Sequence, residues 1–349
     1  MIRVLIVGTG GMAKNHAAAY ADMDGVQVVA GVDPNGEQLN AFQAEFDIPN
    51  GFASVDDALA WGAFDAVSNV TPDAIHHRTT LPMLAAGKHV LCEKPLAANY
   101  ADAAEMADAA AQAGVVNMVN LSYREGPAMI QAAMMVQDGA IGDVRHFEAS
   151  YLQSWLTQPA WGKWSTEAQW LWRLSTEHGS MGTLGDVGVH ILDYVTHIAG
   201  SDTKRVSCRL TTFDKAVGGK IGAYTLDAND SFNMHLQLGN GATGVIHSSR
   251  FASGHFNDLS LKIYGTKGGL EVLSTNHVST LRGSLGDDMQ NARWVDIPCA
   301  TVSTNYARFI DAVREGKQVI PDFARGAALQ KVLDLAVASD ADGCRDLQV

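Results

Sequence analysis

The chain has 349 residues, 47% of them hydrophobic, which suits two domains of ordinary size better than one small core. Its 38 acidic residues outweigh 25 basic ones, and the formal charge of −13 argues against nucleic acid or an anionic membrane as partner, since both demand a basic face. Four scattered cysteines (Cys92, Cys208, Cys299, Cys344) without CxxC or Cys/His spacing point to neither a disulfide framework nor a zinc site, and no apolar run is long enough to span a bilayer, so a protein of the reducing cytoplasm with a small-molecule ligand is expected.

Ile2 to Val7 is a continuous aliphatic run, the pattern of a strand buried on both faces. It carries Arg3 and starts directly at the N-terminus, unlike a secretory leader. Gly8-Thr9-Gly10-Gly11-Met12-Ala13 follows and leads into a helical pattern through Ala21. This is GxGxxA between strand and helix, the setting in which the motif binds a dinucleotide. Gly8 permits the tight turn, Gly10 lets the Gly10-Gly11-Met12 amides approach a pyrophosphate, and Ala13 lets helix and strand pack closely. A second apolar strand, Val26 to Val32, ends at Asp33, where such a site places its ribose-reading acid. A carboxylate there accepts the ribose hydroxyls and repels a 2′-phosphate, which favours NAD, with NADP as the alternative.

The pattern then predicts a helix over Glu37 to Phe46, a strand over Asp65 to Val70 and a helix over His76 to Ala86. Val70-Thr71-Pro72 falls on the ligand-facing strand edge, so Thr71 and Pro72 are expected to wall one side of the cofactor. His76 and His77 diverge at a helix start and lack a third ligand, so no metal is expected. Gly87 to Ala98, GKHVLCEKPLAA, reads as a short strand from Lys88 to Cys92 opening onto Glu93-Lys94-Pro95. Pro95 keeps Lys94 out of helical geometry, and the strand end directs Glu93 and Lys94 at bound ligand. A helix from Asn99 to Ala113, with Asn99 as N-cap and Gly114 as stop, and a strand from Val115 to Val119 complete a doubly wound α/β parallel sheet over residues 1–121.

Beyond Asn120 a helix over Pro127 to Gln137 precedes an alternating strand from Val144 to Gln153. Further strands are predicted near Arg205 to Thr212, Ser231 to Leu238, Thr243 to Ser248, Leu259 to Tyr264 and Leu270 to Leu273, with Asn240-Gly241 as a hairpin turn. Residues 122–349 are therefore predicted as an α+β domain with a mainly antiparallel sheet. Five of the seven tryptophans lie between Trp155 and Trp172, most of them reading as anchors, with one or two available to face a sugar ring. In Gly185-Asp186-Val187-Gly188-Val189-His190-Ile191-Leu192-Asp193, Asp186 and His190 share a helix face with Asp193 three further on. His190 is the acid/base candidate, with Asp186 as its electrostatic partner. Arg124, Trp172 and Arg173 are candidates for lining a substrate pocket, Arg173 equally for a structural ion pair. Asn305 to Glu315 and Ala324 to Ser339 read as packing helices.

Taken together, these motifs resemble the Gfo/Idh/MocA family. The resemblance rests on GxGxxA, Val-Thr-Pro with His76, GKHVLCEKPLA, the Arg124 segment, Asp-Gly-Ala-Ile-Gly at 138–142, GDVGVHILD and Tyr-Gly-Thr-Lys-Gly at 264–268. It implies a Rossmann domain, then a domain with an open, mainly antiparallel sheet whose exposed face forms a homo-oligomer interface, in a dimer or tetramer. It implies oxidation or reduction of a carbon of a sugar, cyclitol or related polyol with NAD(P). By the same resemblance Lys94, Asp186 and His190 are catalytic and Glu93 lies at the nicotinamide end. His-Gly-Ser-Met-Gly-Thr-Leu before Asp186 departs from the glycine-rich stretch more usual there. An NAD-dependent glycoside hydrolase of related fold and a non-catalytic nucleotide-sensing regulator are the alternatives.

Overall fold

In the computed structural model, which describes residues 1–275 and 278–349, the run Ile2–Val7 forms β1 with its last four residues buried. Parallel pairing joins β1 to β2 (Val26–Val32) on one side and to β4 (Ala66–Asn69) on the other. β3 (Asn50–Phe52) flanks β2, while β5 (His89–Cys92) and β6 (Asn117–Val119) extend the sheet beyond β4. The strand order β3-β2-β1-β4-β5-β6 is that of a Rossmann fold, and it reverses between β1 and β4, where ligands bind beyond the carboxyl ends.

The helices between these strands are α1 (Gly11–Ala21), α2 (Gly36–Phe46), α3 (Val55–Trp61), α4 (Asp73–Ala85) and α5 (Tyr100–Ala113). Their ends are fixed by side chains: Asn35, Ser54 and Asn99 accept from the amides of Gln38, Asp57 and Asp102, and Gly62 and Gly114 close α3 and α5 in the left-handed conformation. β3 and α3 were not predicted. A three-residue Asn-Gly-Phe strand carries no periodicity to detect.

Two compact units result, residues 1–121 with 303–330, and residues 122–302 with 331–349. Residues 303–330, predicted to lie in the second domain, belong to the first. There α10 (Asn305–Glu315) packs Phe309, Ile310 and Ala312 into the same core as Val4, Ile6, Tyr20 and Phe42. Pro321 and Phe323 lock the following segment to β6, through Val119 N donating to Pro321 O at 2.8 Å and Phe323 N to Asn117 Oδ1 at 2.7 Å. A helix's apolar stripe announces burial without naming the core it covers.

In the second unit, α6 (Pro127–Gln137), β7 (Val144–Leu152), α7 (Ala168–Leu171), α8 (Val189–Ile198) and β8 (Thr203–Thr211) come first. The two-residue strands β9 (Lys220–Ile221) and β10 (Tyr224–Thr225) pair antiparallel with each other. β11 (Ser231–Leu238), β12 (Thr243–Ser249), β13 (Asp258–Gly265), β14 (Gly268–Thr275), β15 (Val278–Leu285), α9 (Asp287–Gln290) and β16 (Val295–Ile297) follow. The unit ends with α11 (Phe323–Ala341), whose residues from Lys331 onward belong to it, and β17 (Leu347–Gln348). Among the described residues these strands form a nine-stranded sheet of order β16-β15-β14-β13-β7-β12-β11-β8-β17, antiparallel except at β7–β12. Alternation sorts its faces. Phe147, Phe232, Met234, Ile246, Leu261 and Val272 are buried on the side that carries α6 and α8, and Glu148, Asn233, His235, His247 and Arg282 lie on the open side.

Candidate active site

In the first unit, the carboxyl ends of four parallel strands carry the predicted cofactor residues. Gly8 ends β1 with φ +87°, and an added Cβ would stand 2.8 Å from Val70 O and 2.9 Å from Thr71 N. Only glycine allows this close approach of the β1 and β4 ends. Beyond it, Gly10 caps α1 without a side-chain bond, the first turn holds no acid, and a Cβ built on Gly11 would meet no atom within 4 Å. Exposed amides at the start of an eleven-residue helix, with open space before them, fit a pyrophosphate.

Asp33, at the end of β2, is tied to this loop. Its Oδ2 accepts from Thr9 N (2.9 Å), Thr9 Oγ1 (3.0 Å) and Gln38 Nε2 (2.9 Å), and its Oδ1 from Asn35 N (2.9 Å). The carboxylate is thus held beside the GxGxxA turn, as a ribose-reading acid requires. Met12 is exposed at the helix start. At the end of β4, Asn69 Oδ1 accepts from Thr71 N and Thr71 Oγ1, fixing the Val70-Thr71-Pro72 turn.

His76 was predicted as a cofactor residue. It is buried, with Nδ1 2.9 Å from Pro95 O and Nε2 2.7 Å from Thr71 O, and burial lowers its pKa against the pull of those carbonyls. The ring therefore sits between the β4 loop and the β5 loop, and in its neutral form one nitrogen donates to one of these two carbonyls. Glu93 is likewise engaged by protein. Oε1 accepts from His16 Nε2 (2.9 Å) and Asn120 Nδ2 (2.7 Å), and Oε2 from the Lys94 amide (3.2 Å). Burial alone would raise its pKa, but the hydrogen bonds from His16 and Asn120 and coupling to His16 and Lys94 pull it down to about 2. Glu93 is an ionised anchor for the turn that presents the half-buried Lys94.

In the second unit, the predicted catalytic pair straddles a change of helix type. Leu184–Gly188 is a π turn and α8 begins at Val189, so Asp186 and His190 are offset by a wider turn than the regular helix assumed from their spacing. Asp186 Oδ2 accepts from Arg250 Nη2 at 3.2 Å. The His190 ring packs edge-on against Tyr123, 5.1 Å between centroids, and Tyr123 Oη lies 2.6 Å from Tyr151 Oη. Burial first, and then the charge of Asp186, raise the pKa of Tyr123, and burial does the same to Tyr151, so both phenols keep their protons.

Two of the predicted substrate residues, Arg124 and Arg173, meet protein groups. Arg124 is buried and bidentate to Asp193, with Nε 2.8 Å and Nη2 2.7 Å from its two oxygens. Its guanidinium is committed to that ion pair, and Asp193 with it, so the helix-face triad of Asp186, His190 and Asp193 is divided. Arg173 lies over the Trp172 ring at 4.6 Å rather than on a carboxylate. Trp172 is 37% exposed, while Trp155, Trp161, Trp164 and Trp170 join Leu171, Leu174 and Leu226 in a satellite core. His16, Asn120, Tyr123, Tyr151 and Arg250 were not foreseen. Each is a single residue whose partner lies far along the chain, and no spacing rule reports such a pair.

Comparison with known proteins agrees with this geometry. Residues 2–121 match the family model described as an oxidoreductase family with an NAD-binding Rossmann fold, and residues 129–271 the GFO/IDH/MocA C-terminal domain. Scyllo-inositol 2-dehydrogenase (NADP(+)) IolU of Bacillus subtilis is 31% identical over 68% of this chain and 70% of its own length. Levoglucosan dehydrogenase of Pseudarthrobacter phenanthrenivorans is 26% identical over 97% of this chain and 96% of its own. A solved structure of levoglucosan dehydrogenase in complex with NADH and levoglucosan superimposes with a TM-score of 0.85 at 25% identity, covering 100% of this chain and 99% of that one. The dinucleotide edge, the two-unit architecture and these matches make the chain a member of the Gfo/Idh/MocA family of NAD-binding oxidoreductases.

Proposed function

We propose that the protein is an NAD-dependent dehydrogenase of a sugar, cyclitol or related polyol, acting on a secondary alcohol and, in reverse, on the corresponding ketone. The observation that carries this reading is the set of strand ends at the switch point, where Gly8, the Gly10–Met12 amides, Asp33 and the Glu93-anchored Lys94 all lie on one edge of one sheet. Relatives named for levoglucosan and scyllo-inositol support the substrate class.

Bound NAD supplies the hydride acceptor, and reduced NAD the donor. The protein's residues handle charge and protons. His190 withdraws the hydroxyl proton as the alcohol carbon loses hydride, and returns it in the reverse direction. Lys94 supplies positive charge against the negative charge that develops in the reaction, from a turn that ionised Glu93 holds by its backbone amide. Asp186 balances the charge that His190 acquires. The protonated phenols of Tyr123 and Tyr151 are hydrogen-bonded to each other, which leaves one O–H as a donor beside the His190 ring.

Asp33 favours NAD over NADP, because a 2′-phosphate would face a carboxylate that already takes four donors in a fixed orientation. We place the protein in the reducing cytoplasm, in keeping with its four free thiols. We also assign self-association, as a dimer or tetramer, to the open face of the nine-stranded sheet; light scattering that finds only monomer at working concentration contradicts this. The activity is tested by screening sugars and polyols with both cofactors for reduced nicotinamide. A sugar or cyclitol turned over with NAD is expected. Release of sugar from glycosides without net NADH, or cofactor binding with no turnover of any substrate, would favour a hydrolase or a regulator instead.

A further inference from the structure

Arg250 directly follows β12 and has 0% of its surface exposed. Burying a guanidinium without a water-facing edge is costly unless every edge finds a partner. Arg250 meets most of that demand. Nη2 donates to Asp186 Oδ2 at 3.2 Å, Nη1 donates to Arg173 O at 3.2 Å, and Cζ lies over the Trp155 ring, 4.8 Å from its centroid. The backbone reinforces the placement, with Arg250 N donating to Asp230 O at 2.9 Å.

A second buried pair stands behind it. Asp230 Oδ2 accepts from Lys215 Nζ and from Phe213 N at 2.9 Å, and neither the Lys215 nor the Asp230 side chain is exposed. Asp186 and Asp230 both act electrostatically on Arg250, opposing the burial that disfavours its charge. Four charges thus alternate in sign from Lys215 through Asp230 and Arg250 to Asp186. The Lys215, Asp230 and Arg250 side chains are sealed, and Asp186, with 32% of its side chain exposed, is the open end of the series.

We infer that Arg250 is a positioning residue for the reaction, holding the Asp186 carboxylate in one orientation from behind. The inference rests on the reading that Asp186 serves turnover. The geometry demands arginine specifically. One group must reach a carboxylate with one nitrogen and a carbonyl with another while its central carbon stays over an indole, and the point charge of a lysine cannot do all three. The Arg173 carbonyl, which also accepts from Ser180 Oγ at 2.6 Å, makes the Trp172–Leu174 segment part of the same support.

The test is a double-mutant cycle between Arg250→Lys and Asp186→Asn, reading kcat, substrate KM and NADH dissociation constant in folded preparations. Arg250→Lys is expected to lower kcat about tenfold with NADH affinity unchanged, and to add less than about twofold in the Asp186→Asn background, because residues acting through one group are not additive. Trp155→Phe serves as a second variant should Arg250→Lys not fold. It weakens the stacking without altering a charge, and its smaller loss of kcat should vanish in the same background. Unchanged kcat in both variants, or losses that multiply with that of Asp186→Asn, would overturn the inference while leaving the role of Asp186 intact. Asp186→Asn with unmodified turnover would instead defeat the role of Asp186, and the inference with it.

Discussion

His16 Nε2 on α1 lies 2.9 Å from Glu93 Oε1 at the end of β5. The helix that opens the dinucleotide motif and the turn that presents Lys94 are therefore joined by one buried hydrogen bond. Asn120 Nδ2 adds a second to the same oxygen, and Asn305 Nδ2 donates in turn to Asn120 Oδ1 at 3.0 Å. On the other side of the ring, Nδ1 meets Ser68 Oγ at 3.0 Å, which meets Tyr20 Oη at 2.8 Å.

The first expectation concerns stability in acid. Glu93 has a folded pKa of about 2 against an ordinary 4.5, so its contribution is complete above the ordinary value and is lost as pH falls through that interval toward 2. The shift corresponds to something on the order of 3 kcal/mol. Thermal unfolding followed from neutral pH downward should show Glu93→Gln less stable than the parent near neutrality, the two curves converging in strong acid. Curves that stay parallel would mean that the carboxylate is not held ionised by this network.

Asp33→Ser removes the carboxylate proposed to read the ribose. The ratio of kcat/KM with NAD to that with NADP should fall by about tenfold to a hundredfold, the range of one or two charge-assisted hydrogen bonds. An unchanged ratio would transfer cofactor choice to other residues. Thr9 loses its acceptor in the same variant, so a modest loss of stability should accompany the change.

Arg124→Met leaves Asp193 charged, buried and without its bidentate partner. Breaking such a pair costs roughly 3–5 kcal/mol, measurable by denaturant unfolding. Substrate KM of the protein that remains folded should be close to that of the parent. A raised KM with little loss of stability would instead return Arg124 to the substrate pocket.

Tyr123→Phe keeps the ring against His190 and deletes the hydroxyl bonded to Tyr151. A loss of about threefold to tenfold in kcat, with NADH affinity unchanged, is expected from removing one hydroxyl beside the proposed acid/base residue. Activity equal to the parent would confine Tyr123 to packing.

The Rossmann unit was legible because strands buried on both faces must be aliphatic along their whole length, as Ile2–Val7 is, and because a phosphate-binding turn demands glycine at fixed places. Helix ends were legible where caps are chemical, at Asn99 and Gly114. Alternation exposed β11 and β13, whereas β15, Val-Ser-Thr-Leu-Arg-Gly-Ser-Leu, has too few apolar residues on its buried face to stand out. The catalytic candidates came from local spacing, and their supports did not. Arg124 meets Asp193 across 69 residues, Glu93 meets His16 across 77, and Arg250 meets Asp186 across 64. Asp186 and His190 were assigned to one regular helix because nothing in GDVGVHILD distinguishes a π turn from an α turn.

Lys94 and His190 are proposed to perform charge stabilisation and proton transfer in hydride exchange with NAD. Lys94→Ala and His190→Ala should each lower kcat on the identified sugar or polyol by about a hundredfold or more, with the NADH dissociation constant close to that of the parent in the same preparations. Turnover at the parent rate by both variants, with cofactor bound normally, would contradict the account.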